Sequence, residues 1–350
     1  MAPEMWFDVT GTGPKSGQGN ERREMGMVRL PLLGLVLLLA AGDAAAQSGD
    51  AAWPERPIHL VVPFPAGSST DVIARIVGQK LSARLGQQIV VENRAGASGN
   101  IGVDAVAKAA PDGYTLGIAT ASTHAVAVAL GVGLPYDPIK DFAPVAMLGS
   151  QPYVLVLYPG LPAKSLSELV TLAKAKPGAL NYGSAGVTSL AHLATALFAS
   201  MAGVTITHVP YKSSAQSMTD IITGRLDMQF ATIAPSLPNI RAGQLRALVT
   251  SGKTRAAALP EVPTAAEAGI AGYEASLWVS LVMPAATPPA IVARLNREVN
   301  AVLDSAEVGD ALVAQGTQPE PGAPDAVTER IRGDIEKWRG VVAKAGIKAE

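Results

Sequence analysis

Residues 58–75, Ile-His-Leu-Val-Val-Pro-Phe-Pro-Ala-Gly-Ser-Ser-Thr-Asp-Val-Ile-Ala-Arg, read as a buried strand, a turn of small residues and a helix start. A helix start leaves backbone N–H groups unpaired and carries a partial positive charge, so it attracts anions. Ser68, Ser69 and Thr70 at such a start can hold a carboxylate with neutral donors alone. Phe64 and Ala66 border the same turn, and the small Ala66 lets a ligand approach the backbone. The plainer alternative is an ordinary strand-to-helix turn in which Ser69 merely caps. Asp71 suits the first-turn partner of the helix dipole better than a ligand contact. No Gly-Lys-[Ser/Thr] follows and G-x-G-x-x-G is absent, so nucleotide chemistry is not indicated.

Residues 181–192, Asn-Tyr-Gly-Ser-Ala-Gly-Val-Thr-Ser-Leu-Ala-His, repeat the plan: a strand, a Gly-rich turn and a hydroxyl-bearing helix start. Ser184, Gly186, Val187, Thr188 and Ser189 are its candidate contacts. A nucleophile elbow, G-x-S-x-G, would need Gly at 182, where Tyr182 stands. A serine hydrolase using Ser184 with His192 or His208 is therefore the rival from another functional class. A third candidate, Thr120, Ser122 and Thr123, lies at the end of a strand, where open α/β sheets bind ligands. Capping of the next helix is its plain alternative. His59, His124, His192 and His208 read as isolated, without metal-ligand spacing, so no metal and no cofactor is expected. Met218 and Met228 read as core. Lys212 reads as a solvated loop residue that could neutralise a second carboxylate.

Strand-like runs at 58–62, 88–92, 115–119, 144–148, 153–157, 205–209, 227–231, 245–250 and 277–283 alternate with helical patterns, an α/β arrangement. The first helix carries Val72, Ile73, Ile76, Val77, Leu81 and Leu85 at helical spacing and stops at Gly86. Ser165 and Glu168 make a capping box, and long amphipathic helices at 289–303 and 325–345 close the chain. Residues 149–152 and 272–276 look like hinges. They divide the chain into a discontinuous first lobe, 53–150 plus 277–350, and a second lobe, 151–276. Two α/β lobes joined by two crossing strands make a cleft that closes by hinge motion.

Residues 25–29 followed by the apolar residues 30–41 and Ala44-Ala45-Ala46 have the layout of a secretory signal, with cleavage expected near Ala46. The apolar stretch is short of the roughly 20 residues a membrane span needs. Residues 1–24 suggest an over-long start, with Met25 or Met27 the alternative, and Arg22-Arg23 lacks the apolar sequel of a twin-arginine signal. The absence of Cys removes disulfides, thiolate chemistry and a lipidated N-terminus. A mature protein freely soluble outside the cytoplasm is the expectation. Lys+Arg 28 against Asp+Glu 29 gives no basic footprint for nucleic acid, and 5% aromatic content argues against stacked-base recognition.

From about Trp53 to Ile347 the chain resembles the Bug-type, TctC-like receptors of tripartite tricarboxylate transporters. The matching stretches include residues 54–58, the turn 63–71, 91–102 (Val-Glu-Asn-Arg-Ala-Gly-Ala-Ser-Gly-Asn-Ile-Gly), 111–116, 134–138, 181–186, 208–212, 241–248 and 260–269. The resemblance implies a type II-like, two-lobed periplasmic binding protein that presents a small organic carboxylate to membrane permease subunits. It carries the ligand contacts onto Ala66, Ser68, Ser69, Thr70, the segment 120–123, and Gly186, Val187, Thr188 and Ser189. Two departures bear on the ligand. Ser68 and Ser69 stand where relatives are richer in Gly, and Ala231 with Thr232 stands where relatives often carry Asp after a strand. The second departure turns the expectation from amino acids toward plain di- or tricarboxylates or aromatic carboxylates. A receptor that signals to a membrane kinase would use the same cleft.

Overall fold

The structure is a computed structural model and describes residues 53–347. The leader and the expected cleavage near Ala46 lie outside the described residues. The strands are β1 (Ile58–Val62), β2 (Ile89–Asn93), β3 (Thr115–Thr120), β4 (Phe142–Leu157), β5 (Asn181–Ser184), β6 (Thr207–Pro210), β7 (Met228–Thr232), β8 (Arg246–Thr250) and β9 (Ser276–Pro284). The helices are α1 (Ser69–Leu85), α2 (Asn100–Ala107), α3 (Leu166–Ala175), α4 (Leu190–Ala202), α5 (Ser214–Ile222), α6 (Ile233–Arg241), α7 (Pro289–Leu303), α8 (Ala306–Ala314) and α9 (Asp325–Ala345). A π-helical turn over Ser122–Val126 leads into the single turn Ala127–Ala129.

The strands join in the order β2-β1-β3-β9-β4-β7-β5-β6, with β8 also on β4. β1 lies parallel to β2 and β3, and β5 lies parallel to β6 and β7. Parallel neighbours need crossover helices, and these run from strand end to helix start in the α/β manner. Those junctions are where the anion-binding candidates fall. β9 runs antiparallel between β3 and β4 and carries the sheet from one group of parallel strands to the other.

One expectation needs correction. The runs 144–148 and 153–157 are a single strand, β4, paired with β9 from Phe142↔Pro284 to Pro152↔Ser276 and then with β7 and β8. Gly149 marks a register shift, not a break. A Cβ there would lie 2.4 Å from the Gln318 carbonyl oxygen, because residue 318 pairs with Ser150 alongside the strand. The Ser165 cap holds, accepting from the Glu168 amide at 3.2 Å, while Glu168 reaches back to the Lys164 amide at 2.6 Å. α8 had no counterpart in the sequence reading.

Apolar spacing explains the packing. In α1, Ile73, Val77, Leu81 and Leu85 are buried with Leu295, Val299 and Val302 of α7 and with Ile58, Leu60 and Leu116 of the sheet. Met218 of α5 joins Ile221, Val154 and Val156 in a second cluster, and Met228 is buried in a third. The third cluster includes Trp278, Phe230, Phe198 and, from α9, Ile331, Ile335 and Trp338. The buried Trp278 Nε1 donates to Asp334 Oδ2 at 2.7 Å and so pins α9 to β9.

Trp278→Phe keeps most of the apolar burial but strips this buried carboxylate of a donor. The expected loss is about 1–3 kcal/mol, read as a lower urea midpoint with an unchanged slope. An unchanged midpoint would show that the bond does not hold α9.

Candidate functional site

The turn between β1 and α1 is built around Asp71. Ser68, not Ser69, is the cap: its Oγ accepts from the Asp71 amide at 3.3 Å, in an extended backbone. The Asp71 carboxylate accepts from the Gly67 amide at 2.9 Å, Arg75 Nε at 3.0 Å and Asn93 Nδ2 at 2.8 Å. Asn93 also donates to the Phe64 carbonyl at 3.0 Å. Burial pushes the Asp71 pKa up, but Arg75, the Gly67 amide and Asn93 together outweigh it and hold the carboxyl below its usual range. Asp71 is thus occupied in shaping the turn. The amides of Ala66, Ser69 and Thr70 have no acceptor among the described residues.

Ser69 is buried, and its Oγ lies 2.7 and 2.8 Å from Nε2 and Oε1 of Gln151. Gln151 is a fully buried polar residue of β4 that the sequence reading did not single out. Its place in the expected hinge of residues 149–152 hid it, because the strand is continuous there.

The segment after β3 closes on itself. Thr123 Oγ1 receives the Thr120 amide at 3.2 Å and lies 2.9 Å from His124 Nδ1, and both threonines are fully buried. Burial pushes His124 down to about 3. Ser122 faces the turn of residues 184–189: its Oγ accepts the Leu190 amide, the first of α4, at 3.1 Å. Two of the three helix starts therefore touch.

The loop of residues 96–99 ties in the first. A Cβ on Gly99 would lie 2.8 Å from Thr123 Cγ2 and 3.2 Å from Phe64 Cζ, so only glycine permits this approach. Gly96, Ala97, Ser98 and Gly99 have φ of 141°, 46°, 54° and 100°. For Ala97 and Ser98 this left-handed backbone costs about 1–2 kcal/mol each. The loop carries Ser98 Oγ to the Ala185 carbonyl at 3.2 Å.

In the turn of residues 184–189 the Gly186 carbonyl is drawn inward by Ser184 Oγ at 3.0 Å, Ser189 Oγ at 2.7 Å and the Ser189 amide at 3.1 Å. Ser189 caps α4, accepting from the His192 amide. The Val187 and Thr188 amides are left without an acceptor among the described residues. Ala231 and Thr232 end β7, which runs parallel to β5. Ala231 is buried in the apolar cluster with Val154 and Ile221, while Thr232 precedes α6, and neither side chain bonds to the other candidates. Lys212 is exposed.

The histidines are not isolated, which corrects the sequence reading. β5 and β6 are parallel, with Tyr182 opposite His208, so Tyr182, Ser184 and His208 share one face. His208 Nε2 lies 2.7 Å from Ser184 Oγ, and His192 stacks on His208 with centroids 3.9 Å apart. Tyr182 Oη lies 2.8 Å from His192 Nδ1. His59 pairs with Glu92 of the next strand at 2.5 Å. No group of three His, Cys, Asp or Glu side chains gathers as a metal site among the described residues.

The sequence pattern of the family described as "Tripartite tricarboxylate transporter family receptor", TctC, matches residues 73–347. The chain belongs to this family. Among its TctC relatives, Protein BugT of Bordetella pertussis is 41% identical over 325 residues, 93% of this chain and 99% of BugT. A solved Rhodopseudomonas palustris protein, Rpa4515 with adipate, is 38% identical with a TM-score of 0.82, covering 85% of this chain and 99% of its own. A structure described as a periplasmic transporter is 40% identical with a TM-score of 0.80, at 85% and 99% coverage. MatC of R. palustris with bound malate is 35% identical with a TM-score of 0.77, at 83% and 100%. The TctC chain thus has the α/β fold of periplasmic binding proteins and the role of a transporter's solute receptor.

The stacked imidazoles of this TctC receptor give its stability a pH dependence. Burial pushes His192 down to about 3, helped by the neighbouring His208, and pushes His208 down to about 4. Both bind protons more readily in the unfolded chain, near pH 6.5, so their contribution is full above that value and is lost as pH falls toward 4 and then 3. His208→Gln should flatten the fall in urea midpoint between those limits. An equal slope in the variant would show that His208 does not carry it.

Proposed function

We propose that this receptor captures a small organic carboxylate without turning it over and delivers it to the permease subunits of a tripartite transporter. It acts as a monomer in the periplasm, after removal of the leader near Ala46. The cleft lies between a lobe of residues 53–150 with 277–350 and a lobe of residues 151–276. The observation that carries this reading is the set of unpaired amides at 66, 69 and 70 and at 187 and 188, on turns that meet through Gly99, Ser98 and Ser122. Several N–H donors and a helix dipole stabilise an anion without a cation. Dicarboxylates bound to Rpa4515 and MatC support the ligand class. Ala231, packed in the core with no charge, suits an acid without an amino group.

Ser184 supports binding over hydrolysis. It is 1% exposed, and its hydroxyl is engaged with the Gly186 carbonyl and His208. A nucleophile must reach its substrate. Serine-directed acylating probes should leave Ser184 unlabelled, and labelling lost in Ser184→Ala would promote the hydrolase.

Thermal stabilisation against adipate, malate, citrate and benzoate identifies the acid, because a ligand of the folded state raises stability by RT ln(1 + [L]/Kd). With the best of these, Thr188→Ala should raise Kd roughly 10-fold to 150-fold, the value of one hydrogen bond to a charged group, and Ser69→Ala should raise it by a smaller factor, through loss of the bond to Gln151 that supports the first turn. Ala66→Leu, which blocks the amides themselves, should be worse than either. Lys212→Met should cost much less. Abolition of binding by Lys212→Met, with both hydroxyl deletions silent, would make the site a salt bridge.

A further inference from the structure

We propose that the loop of residues 96–99 is a fourth element of the binding site, in which Ser98 is the positioning residue that holds the turn of residues 184–189 over the ligand. The proposal rests on the carboxylate reading of the cleft.

Three observations converge on this loop. First, Ser98 Oγ donates to the Ala185 carbonyl, 87 residues away, at 3.2 Å. Second, a Cβ on Gly186 would lie 2.8 Å from the same Oγ, so Gly186 is needed for the two segments to meet. Third, Gly99 seats the base of the loop on Phe64 and Thr123, which belong to the other two candidate turns. One short loop therefore touches all three.

Its chemistry follows from what the Ser98 contact orients. With the Ala185 carbonyl fixed by Ser98 and the Gly186 carbonyl turned inward by Ser184 and Ser189, these two acceptors are held away from the ligand. The Val187 and Thr188 amides next to them have no acceptor among the described residues. Releasing Ser98 frees a carbonyl whose negative end repels a carboxylate when it swings toward the site.

The left-handed backbone makes the contact reversible. Ser98 holds an unfavourable φ of 54°, beside Ala97 at 46°, in the same conformation that delivers its hydroxyl. Strain and hydrogen bond oppose each other, and a hold of near-zero net strength releases ligand readily.

The test compares Ser98→Ala, which removes the hydroxyl and keeps the strain, with Ser98→Gly, which removes both. For the panel acid that binds the wild type, Ser98→Ala should raise Kd about 2-fold to 13-fold, the value of one neutral hydrogen bond, through faster dissociation at unchanged association. Ser98→Gly should fall between Ser98→Ala and the wild type. Independently of any ligand, amide hydrogen exchange at Ser189 and Leu190, whose amides are bonded to the Gly186 carbonyl and to Ser122 Oγ, should quicken in Ser98→Ala while the melting temperature stays put. Unchanged dissociation and unchanged exchange in Ser98→Ala would overturn the proposal. Weaker binding in Ser69→Ala alongside a silent Ser98→Ala would sink the latch and leave the carboxylate site standing. If the wild type binds none of the panel acids, the carboxylate reading falls, and the exchange rates still decide whether Ser98 holds the turn.

Discussion

Backbone amides from separate segments can point at one anion only where those segments touch, and they touch only where side chains are missing or small. This steric limit governs the site. Gly99 rests on Thr123 and Phe64, Gly102 would place a Cβ 2.8 Å from Pro63 Cα, and Gly186 meets Ser98. The Gly96-x-x-Gly99-x-x-Gly102 spacing is the sequence form of that limit. Around it, two strong acceptors are drawn inward. Asp71 is taken by Gly67, Arg75 and Asn93, and the Gly186 carbonyl by two serines. The amides of residues 66, 69, 70, 187 and 188 are left without an acceptor among the described residues.

β4 and β9 carry these turns on a shared frame. Successive side chains of a strand face opposite ways. Gln151 reaches Ser69 in the first turn, whereas its neighbours Ser150 and Pro152 line a cavity of about 630 Å³ on the other face. Ser150 Oγ bonds to Glu320 at 2.5 Å there, and Lys337 of α9 pairs with Glu274, just ahead of β9, at 2.6 Å. Burial pushes Glu274 up, but Lys337, Ser276 and Arg330 together outweigh it and hold its carboxyl low. Any rotation about the strand pair changes both faces together, so residues far from the ligand share in setting the geometry of the cradle.

Much of this was legible in local sequence. Strand-turn-helix junctions at 58–75 and 181–192 declare themselves by apolar runs followed by small and hydroxyl residues, and Gly86, with φ of 70°, ends α1 as read. What escaped was non-local. Gly149 looked like a break because nothing in its neighbourhood announces the approach of residue 318, and Gln151 looked like loop polarity for the same reason. Ser184 and His208 are 24 residues apart and meet only because β5 and β6 pair in parallel. The cap moved by one residue, from Ser69 to Ser68, since both are competent and Asp71 decides between them by taking Gly67.

The central claim is that unpaired backbone amides hold the ligand's carboxylate. Amide proton shifts of the isotope-labelled protein, followed while the best-bound acid and then its uncharged amide are added, test it most directly. The acid should move Ser69, Thr70, Val187 and Thr188 downfield together at one saturating concentration, and the uncharged amide should leave them in place, because donors at helix starts respond to an anion. Shifts confined to Lys212 and its neighbours, with those four amides unmoved, would contradict it.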